Sequence, residues 1–319
     1  MGRIAVTGSV AFDTIMLFRG RFADHILPEK THLINLSFQV DSLERHNGGT
    51  AANVCYTLAL LGQRPLLCAA VGAADFNEYG VALEAAGVDT SRALRSDDVG
   101  TAAGFITTDL ADNQITAFYS GAMARAAAVD LSRIDDVDMV VVGADAPDAM
   151  SLHIKQCHDL GARLVFAPAQ QIPSLDDATL RAGLDGAWLV AGNDYELEMI
   201  RGRTGVAVEA LRERCMIAVT RGADGSRIHT GGTVVSVPVA PISELVDPTG
   251  AGDAYLAALL AGLRSGATVK DAGRMGALAA AYCVERRGPQ GHVFDAHAFR
   301  TRYTGAFGVE LPQRVRLAA

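Results

Sequence analysis

Six short apolar runs, most of them ending in glycine or another small residue and alternating with helical stretches, constrain this chain more than any other feature. They lie at 4–7, 66–71, 139–142, 164–167, 188–191 and 217–220, with helices expected at 50–61, 147–160, 194–201, 208–214, 254–263, 269–284 and 295–303. A run that is apolar at nearly every position belongs to a strand covered on both faces, and strands spaced by helices make βαβ units. The expected fold is α/β: a doubly wound, mostly parallel sheet flanked by helices. Ligands of such sheets sit at the carboxyl ends of strands, where most of this chain's glycine turns fall.

Two segments break the rhythm. Residues 14–46 hold an extended alternation at Leu33, Asn35, Ser37 and Gln39, and residues 101–120 read as two strands around 109–113. Both have hairpin character without accompanying helices. We expect a small β-sheet lid made of 14–46 and 98–123, and a main unit of 1–13, 47–97 and 124–319; the alternative is a pair of edge hairpins on the main sheet.

Composition narrows the partners. The 319 residues are half hydrophobic, enough for a full core, and the net charge is −8 with basic residues scattered, which is no footprint for nucleic acid. Five cysteines stand far apart in apolar stretches without a C-x-x-C, as free core thiols in a reducing cytoplasm would. No uninterrupted apolar run is long enough to span a membrane, and the first residues read as a strand and turn, so the expectation is a soluble cytoplasmic protein without a membrane partner.

The chemistry is concentrated in Asp247-Pro248-Thr249-Gly250-Ala251-Gly252-Asp253, directly ahead of an Ala- and Leu-rich helix. Gly250 and Gly252 permit a tight turn and close approach of a ligand, and the first amides of a helix have no intrahelical partner. With the positive end of the helix dipole they suit a phosphate group. Asp253 falls in the first turn, where the dipole favours its ionised form and lets it accept a hydroxyl proton. The pairing points to phosphoryl transfer to an alcohol. None of the three lysines, Lys30, Lys155 and Lys270, completes a Walker A loop, and no G-x-S-x-G or H-E-x-x-H motif is present. A Rossmann dehydrogenase would need G-x-G-x-x-G where this chain has Gly8-Ser9-Val10-Ala11-Phe12-Asp13.

Four motifs in order resemble those of the ribokinase and PfkB-type carbohydrate and nucleoside kinases. They are the heptad, Asn47-Gly48-Gly49-Thr50-Ala51-Ala52-Asn53, Asn193-Asp194-Tyr195-Glu196, and Thr220-Arg221-Gly222 with Gly225. The resemblance implies a ribokinase-like fold, Asp253 as catalytic base, and the Gly250, Ala251 and Gly252 amides as the hole for the transferring phosphoryl group. It implies Asp13, Gly48, Gly49 and Asn53 around the acceptor hydroxyls. Asn193 and Glu196 would hold water around a Mg²⁺ on the ATP phosphates, beside an ATP-binding turn of Thr220, Arg221, Gly222 and Gly225. Asp247 and Thr249 resemble a monovalent-cation site, with K⁺ as the candidate ion.

Within that family the opening, lid and C-terminal motifs, the last including Gly288-Pro289-Gln290, resemble the bacterial adenosine kinase-like branch. The implied acceptor is a nucleoside, adenosine first, phosphorylated on its primary hydroxyl; a free pentose or hexose, or a non-catalytic nucleoside or sugar sensor, are the alternatives. Phe105 and Phe118 offer stacking faces for a base or else form lid core, and Gln170 and Gln171 offer amides to a base edge. Ser9 and Ser37 read as pocket contacts or as turn formers. Ala167 and Ala52 depart from that branch, which usually has Asp and Gly there. An exposed lid edge suggests a homodimer pairing lid to lid.

Overall fold

The computed structural model describes residues 2–25, 37–111, 113–315 and 317, with the side chains of 208 and 209 left aside. Its strands are β1 (Arg3–Thr7), β2 (Ala11–Leu17), β3 (Ser42–Gly48), β4 (Leu66–Cys68), β5 (Ala70–Gly72), β6 (Leu94–Ser96) and β7 (Ala102–Thr108). They continue with β8 (Gln114–Tyr119), β9 (Val137–Gly143), β10 (Arg163–Ala167), β11 (Ala187–Asn193), β12 (Met216–Thr220), β13 (Ser226–Thr230) and β14 (Thr233–Val237). The α-helices are α1 (Thr50–Leu60), α2 (Asn77–Ala86), α3 (Pro147–Asp159), α4 (Asp177–Gly186), α5 (Asp194–Thr204), α6 (Val208–Leu211), α7 (Ala251–Arg264), α8 (Val269–Val284) and α9 (Ala296–Phe307).

The main sheet runs β14-β13-β12-β11-β10-β9-β1-β4, parallel from β12 to β4 and closed at one edge by the antiparallel β13–β14 hairpin. Successive residues of each central strand go to opposite cores. Ile4, Val6, Met139, Val141, Val165, Leu189 and Ala218 pack with α1, α7 and α8. Ala5, Val140, Val142, Leu164, Phe166, Val190, Ile217 and Val219 pack with α3, α4 and α5. This is why the strands read as continuous apolar runs: both faces are covered.

A second, four-stranded sheet has the order β3-β2-β7-β8 and forms the lid. It is mixed rather than a pair of hairpins, because β2 and β7 from the two excursions pair in parallel. Strand β2 begins at Ala11 and β3 ends at Gly48, so Asp13 and Gly48 belong to lid strands. The alternation expected at Leu33 and Asn35 lies outside the described residues.

Three expectations need correction. The run 66–71 is two strands broken at Ala69, because β4 joins the main sheet while β5 leaves it to pair with β6. Helix α6 stops at Leu211, short of 214. Helices α2 and α4 stand outside the expected set, α2 burying Tyr79 and Leu83 and α4 burying Leu180 and Leu184.

Candidate active site

The heptad forms a turn that delivers α7 to the carboxyl end of the sheet. Gly250 is the N-cap of α7 in the left-handed region, at φ 80°, where a Cβ would stand 2.4 Å from Cβ of Pro289. Only glycine fits. No side chain caps this helix, and the N–H groups of Gly250, Gly252 and Asp253 have no acceptor among the described residues. The Ala251 N–H differs from expectation: it donates to the Pro248 carbonyl at 3.2 Å. A Cβ on Gly252 would meet nothing within 4 Å. The turn is tied from behind, since Asp247 Oδ1 accepts from the Thr249 N–H and Oδ2 from the Gly288 N–H, both at 2.9 Å. Cys283 Sγ donates to the Thr249 carbonyl at 3.3 Å.

Asp253 is partly buried in the first turn of α7. Asn53, on α1, donates from Nδ2 to its Oδ2 at 2.9 Å, so the Gly-Gly motif and the heptad meet across 200 residues of sequence. The expectation that the helix dipole keeps this carboxyl readily ionised is corrected by its surroundings. Burial pushes its pKa up to about 7, the Asn53 bond draws it down, and the charge of Glu196 raises it. Desolvation outweighs the dipole here because the charged form loses water on most sides. A carboxylate poised near neutral pH is well matched to taking a hydroxyl proton.

Asp13 lies on β2 between two glycines. A Cβ on Gly48 would sit 2.4 Å from Asp13 Oδ2, and one on Gly104 would sit 2.9 Å from Oδ1. Its carboxylate has no hydrogen-bond donor among the described residues, which leaves both oxygens open to hydroxyl groups. Burial raises its pKa, His46 on the facing strand lowers it, and Asp247 raises it. Gly49, at φ 95°, brings the chain against Ser9 and Val10, where any side chain would collide with backbone.

Asn193 and Glu196 stand at the head of α5 as a capping box: Asn193 Oδ1 accepts from the Glu196 N–H at 2.8 Å, and Glu196 Oε2 accepts from the Asn193 N–H at 2.9 Å. The box fixes the Glu196 carboxylate and spends one of its oxygens. Thr220 is the direct neighbour of Asn193 at the ends of β12 and β11. After it, Arg221 donates its N–H to the Gly225 carbonyl at 2.8 Å around a short 3-10 turn, Gly222–Asp224. Gly225, at φ 79°, packs against the Val237 carbonyl.

The remaining candidates divide. Ser9 is buried and its hydroxyl accepts from the Thr50 N–H at 3.1 Å, so it starts α1. Ser37 is exposed in coil. Gln170 and Gln171 follow β10 on a 3-10 turn, Gln170 exposed and Gln171 half-buried, presented by Ala169 at a left-handed φ of 44°. Phe118 pairs with Gly104, which pairs with Asp13, so Phe118 shares the face of the lid sheet that carries Asp13. Phe105 pairs with Thr14 and points to the opposite face. The two phenylalanines therefore cannot stack on one ligand, because neighbouring positions along a strand alternate faces.

Sequence reasoning missed Tyr79 altogether and noted Gln290 only within a tripeptide. Gln290 Nε2 donates to Asn53 Oδ1 at 2.9 Å and to the Tyr79 hydroxyl at 2.5 Å, and Tyr79 donates to the Gly48 carbonyl at 2.9 Å. No local pattern marks Tyr79, whose partners come from β3 and from the turn after α8.

Among known proteins, the model of the pfkB family carbohydrate kinases matches residues 8–294. A nucleoside kinase of Methanothermobacter thermautotrophicus is 31% identical over 284 residues, covering 87% of this chain and 91% of that protein. The solved nucleoside kinase of Burkholderia thailandensis in complex with inosine is 34% identical, with a TM-score of 0.87 and coverage of 96% of this chain and 99% of that one. The nucleoside kinase of Methanocaldococcus jannaschii, described as an archaeal member of the ribokinase family, is 26% identical with a TM-score of 0.86, covering 96% and 99%.

Proposed function

This chain belongs to the pfkB family of carbohydrate kinases and is a phosphotransferase with an alcohol group as acceptor, and from that premise we propose that it transfers the γ-phosphoryl group of ATP to the primary hydroxyl of a purine nucleoside, adenosine foremost. The observation that carries the reading is the juxtaposition of a near-neutral Asp253 with unpaired amides at the head of the same helix. One group receives the proton while the others receive the phosphoryl oxygens. The acceptor oxygen bonds to the γ-phosphorus, the bond from phosphorus to the ADP oxygen breaks, and the acceptor proton passes to an Asp253 oxygen.

Positioning supplies most of the rate in such a loose transition state. Asp13, with two open oxygens, orients a vicinal diol. Gly48 and Gly49 let it come close, and Phe118 offers the base a flat face from the lid. Gln170 and Gln171 stand at the strand ends as amide readers of a base edge. The residues fit a metal-bearing nucleotide: Glu196 and Asp253 act on one another electrostatically, and the space over Gly252 is open to a phosphate. Asn193 and Glu196 would hold the water shell of a Mg²⁺ ion, which supplies charge neutralisation on the phosphates. Among the described residues no group of three or more His, Cys, Asp or Glu is arranged to hold a metal ion. Thr220, Arg221, Gly222 and Gly225 would line the nucleotide. Asp247 and Thr249 would face a K⁺ ion beside the turn they already stabilise.

The test is ADP release with Mg-ATP across adenosine, inosine, guanosine, cytidine, ribose and fructose. Nucleoside-dependent turnover is expected, with adenosine or inosine giving the highest kcat/KM. Turnover with free sugars alone would overturn the nucleoside reading and leave the alcohol phosphotransferase in place.

The lid also supplies the proposed subunit contact. On its face away from Asp13, Leu43, Phe105, Ile115 and Tyr119 are 43–64% exposed. Among the described residues no helix is long and apolar enough to cross a membrane. Light scattering is expected to give twice the chain mass for the wild type and the single mass for Phe105→Glu; a wild-type monomer would reject the lid-to-lid pairing.

A further inference from the structure

Five groups from separate parts of the chain form one line of hydrogen bonds, whose donations run outward from the Gln290 NH₂ to the Gly48 carbonyl on one side and to Asp253 on the other. It starts at the Gly48 carbonyl on the last residue of a lid strand, passes through the hydroxyl of Tyr79 on α2, the amide of Gln290 and the amide of Asn53 on α1, and reaches Asp253 on α7. Tyr79 and Asn53 are buried and Gln290 is half-buried.

The direction is set at the Gly48 end. A backbone carbonyl can only accept, so the single proton of the Tyr79 hydroxyl is spent on it, and that hydroxyl must then accept from its other neighbour. Gln290 must therefore turn its NH₂ toward Tyr79. With its carbonyl there, two acceptors would meet with no proton between them. The second N–H of the same NH₂ group goes to Asn53 Oδ1. With its oxygen held on that side, Asn53 has only its NH₂ to present to Asp253. An amide rotated by half a turn would place a carbonyl oxygen against the carboxylate.

We infer that Gln290 and Tyr79 are positioning residues that fix the orientation of the Asn53 amide, so that its N–H and not its C=O faces Asp253. They touch no reacting atom in this role. Gln290 sits directly after the Gly288-Pro289 turn that braces Gly250 and Asp247, so a single turn fixes both the amide hole and the neighbour of the base. The kinetic side of the inference rests on the kinase reading above, and the structural side does not.

The experiment pairs two variants with two readouts. Gln290→Met keeps the length of the side chain and removes both donors; Tyr79→Phe removes one oxygen from a buried ring and leaves its packing. In ¹H–¹⁵N spectra the Asn53 side-chain amide, assigned by its loss in Asn53→Asp, is expected to show one strongly downfield, exchange-protected proton bonded to the carboxylate. That signature should be lost or split into two orientations in Gln290→Met, with a smaller change in Tyr79→Phe, where Gln290 keeps its bond to Asn53. With the acceptor that wild type turns over, kcat should fall about tenfold to 100-fold in Gln290→Met while KM for ATP stays within about twofold. An Asn53 signal and kcat unchanged in a folded Gln290→Met would overturn the inference. If that variant does not fold, an Asn53 amide identical to wild type in Tyr79→Phe overturns it equally. A wild type silent with every acceptor sinks the functional reading alone, because the amide signal still decides the orientation.

Discussion

With asparagine in place of Asp253, acceptor-dependent phosphoryl transfer is expected to fall by about 10²–10⁴-fold, the usual worth of a positioned general base. The substitution keeps the size of the side chain and leaves one oxygen that can accept from Asn53, while it removes the charge and the capacity to take a proton. The same residue sets the pH profile. Its pKa lies near 7 because burial and the neighbouring Glu196 penalise the charged form more than the Asn53 bond favours it. The active form is the ionised one, so kcat/KM for the acceptor should rise about tenfold per pH unit below that value and level off above it. Asp253→Asn should lose this acidic limb along with most of the rate. A variant that keeps full turnover, or a wild type flat in rate from pH 5 to 8, would remove Asp253 from the role of base.

Two neighbouring glycines should fail in different ways when each is changed to alanine. Gly250→Ala puts a side chain at φ 80° and against Pro289. The left-handed conformation alone costs about 1–2 kcal/mol, and relief of the collision moves the turn that carries the amides. Both stability and rate should drop, the rate by about 10²–10³-fold, as for loss of an oxyanion donor. Gly252→Ala meets no protein atom and lies in helix, where alanine is better than glycine by about 0.5–1 kcal/mol. Its melting temperature should be unchanged or higher. Its kcat/KM for ATP should nevertheless fall by about 10–100-fold, the worth of one charge-assisted hydrogen bond, since the methyl group stands where a phosphate would approach. Thermal unfolding and steady-state kinetics on the two variants separate the cases. A fully active Gly252→Ala would show that no ligand approaches that amide.

Much of this molecule was legible in the chain because it depends on short-range rules. Strands covered on both faces must be apolar throughout, so the runs at 139–142, 164–167 and 217–220 marked β9, β10 and β12 directly. The turn at Gly250 and the first-turn carboxylate at Asp253 are set by local backbone chemistry, and the capping box of Asn193 and Glu196 by a spacing of three residues. These features need no knowledge of what lies across the fold. The resemblance of four motifs in order then pointed to the family in which the chain belongs.

Other properties depended on which distant groups come together. Register alone puts Phe118 on the side of Asp13 and sends Phe105 to the other, a distinction that the two residues' own neighbours do not encode. Desolvation, not the local dipole, sets the charge state of Asp253, and desolvation is a property of everything packed around a group. Tyr79 and Gln290 gain their role only when α2 and the turn after α8 converge on Asn53. The sequence by itself determined the layered α/β fold and the elements of a phosphoryl-transfer site. Tertiary structure decided which side chains face the acceptor, which way the Asn53 amide points and at what pH the base is ready, because burial and hydrogen-bond partners are assembled from segments far apart in the chain.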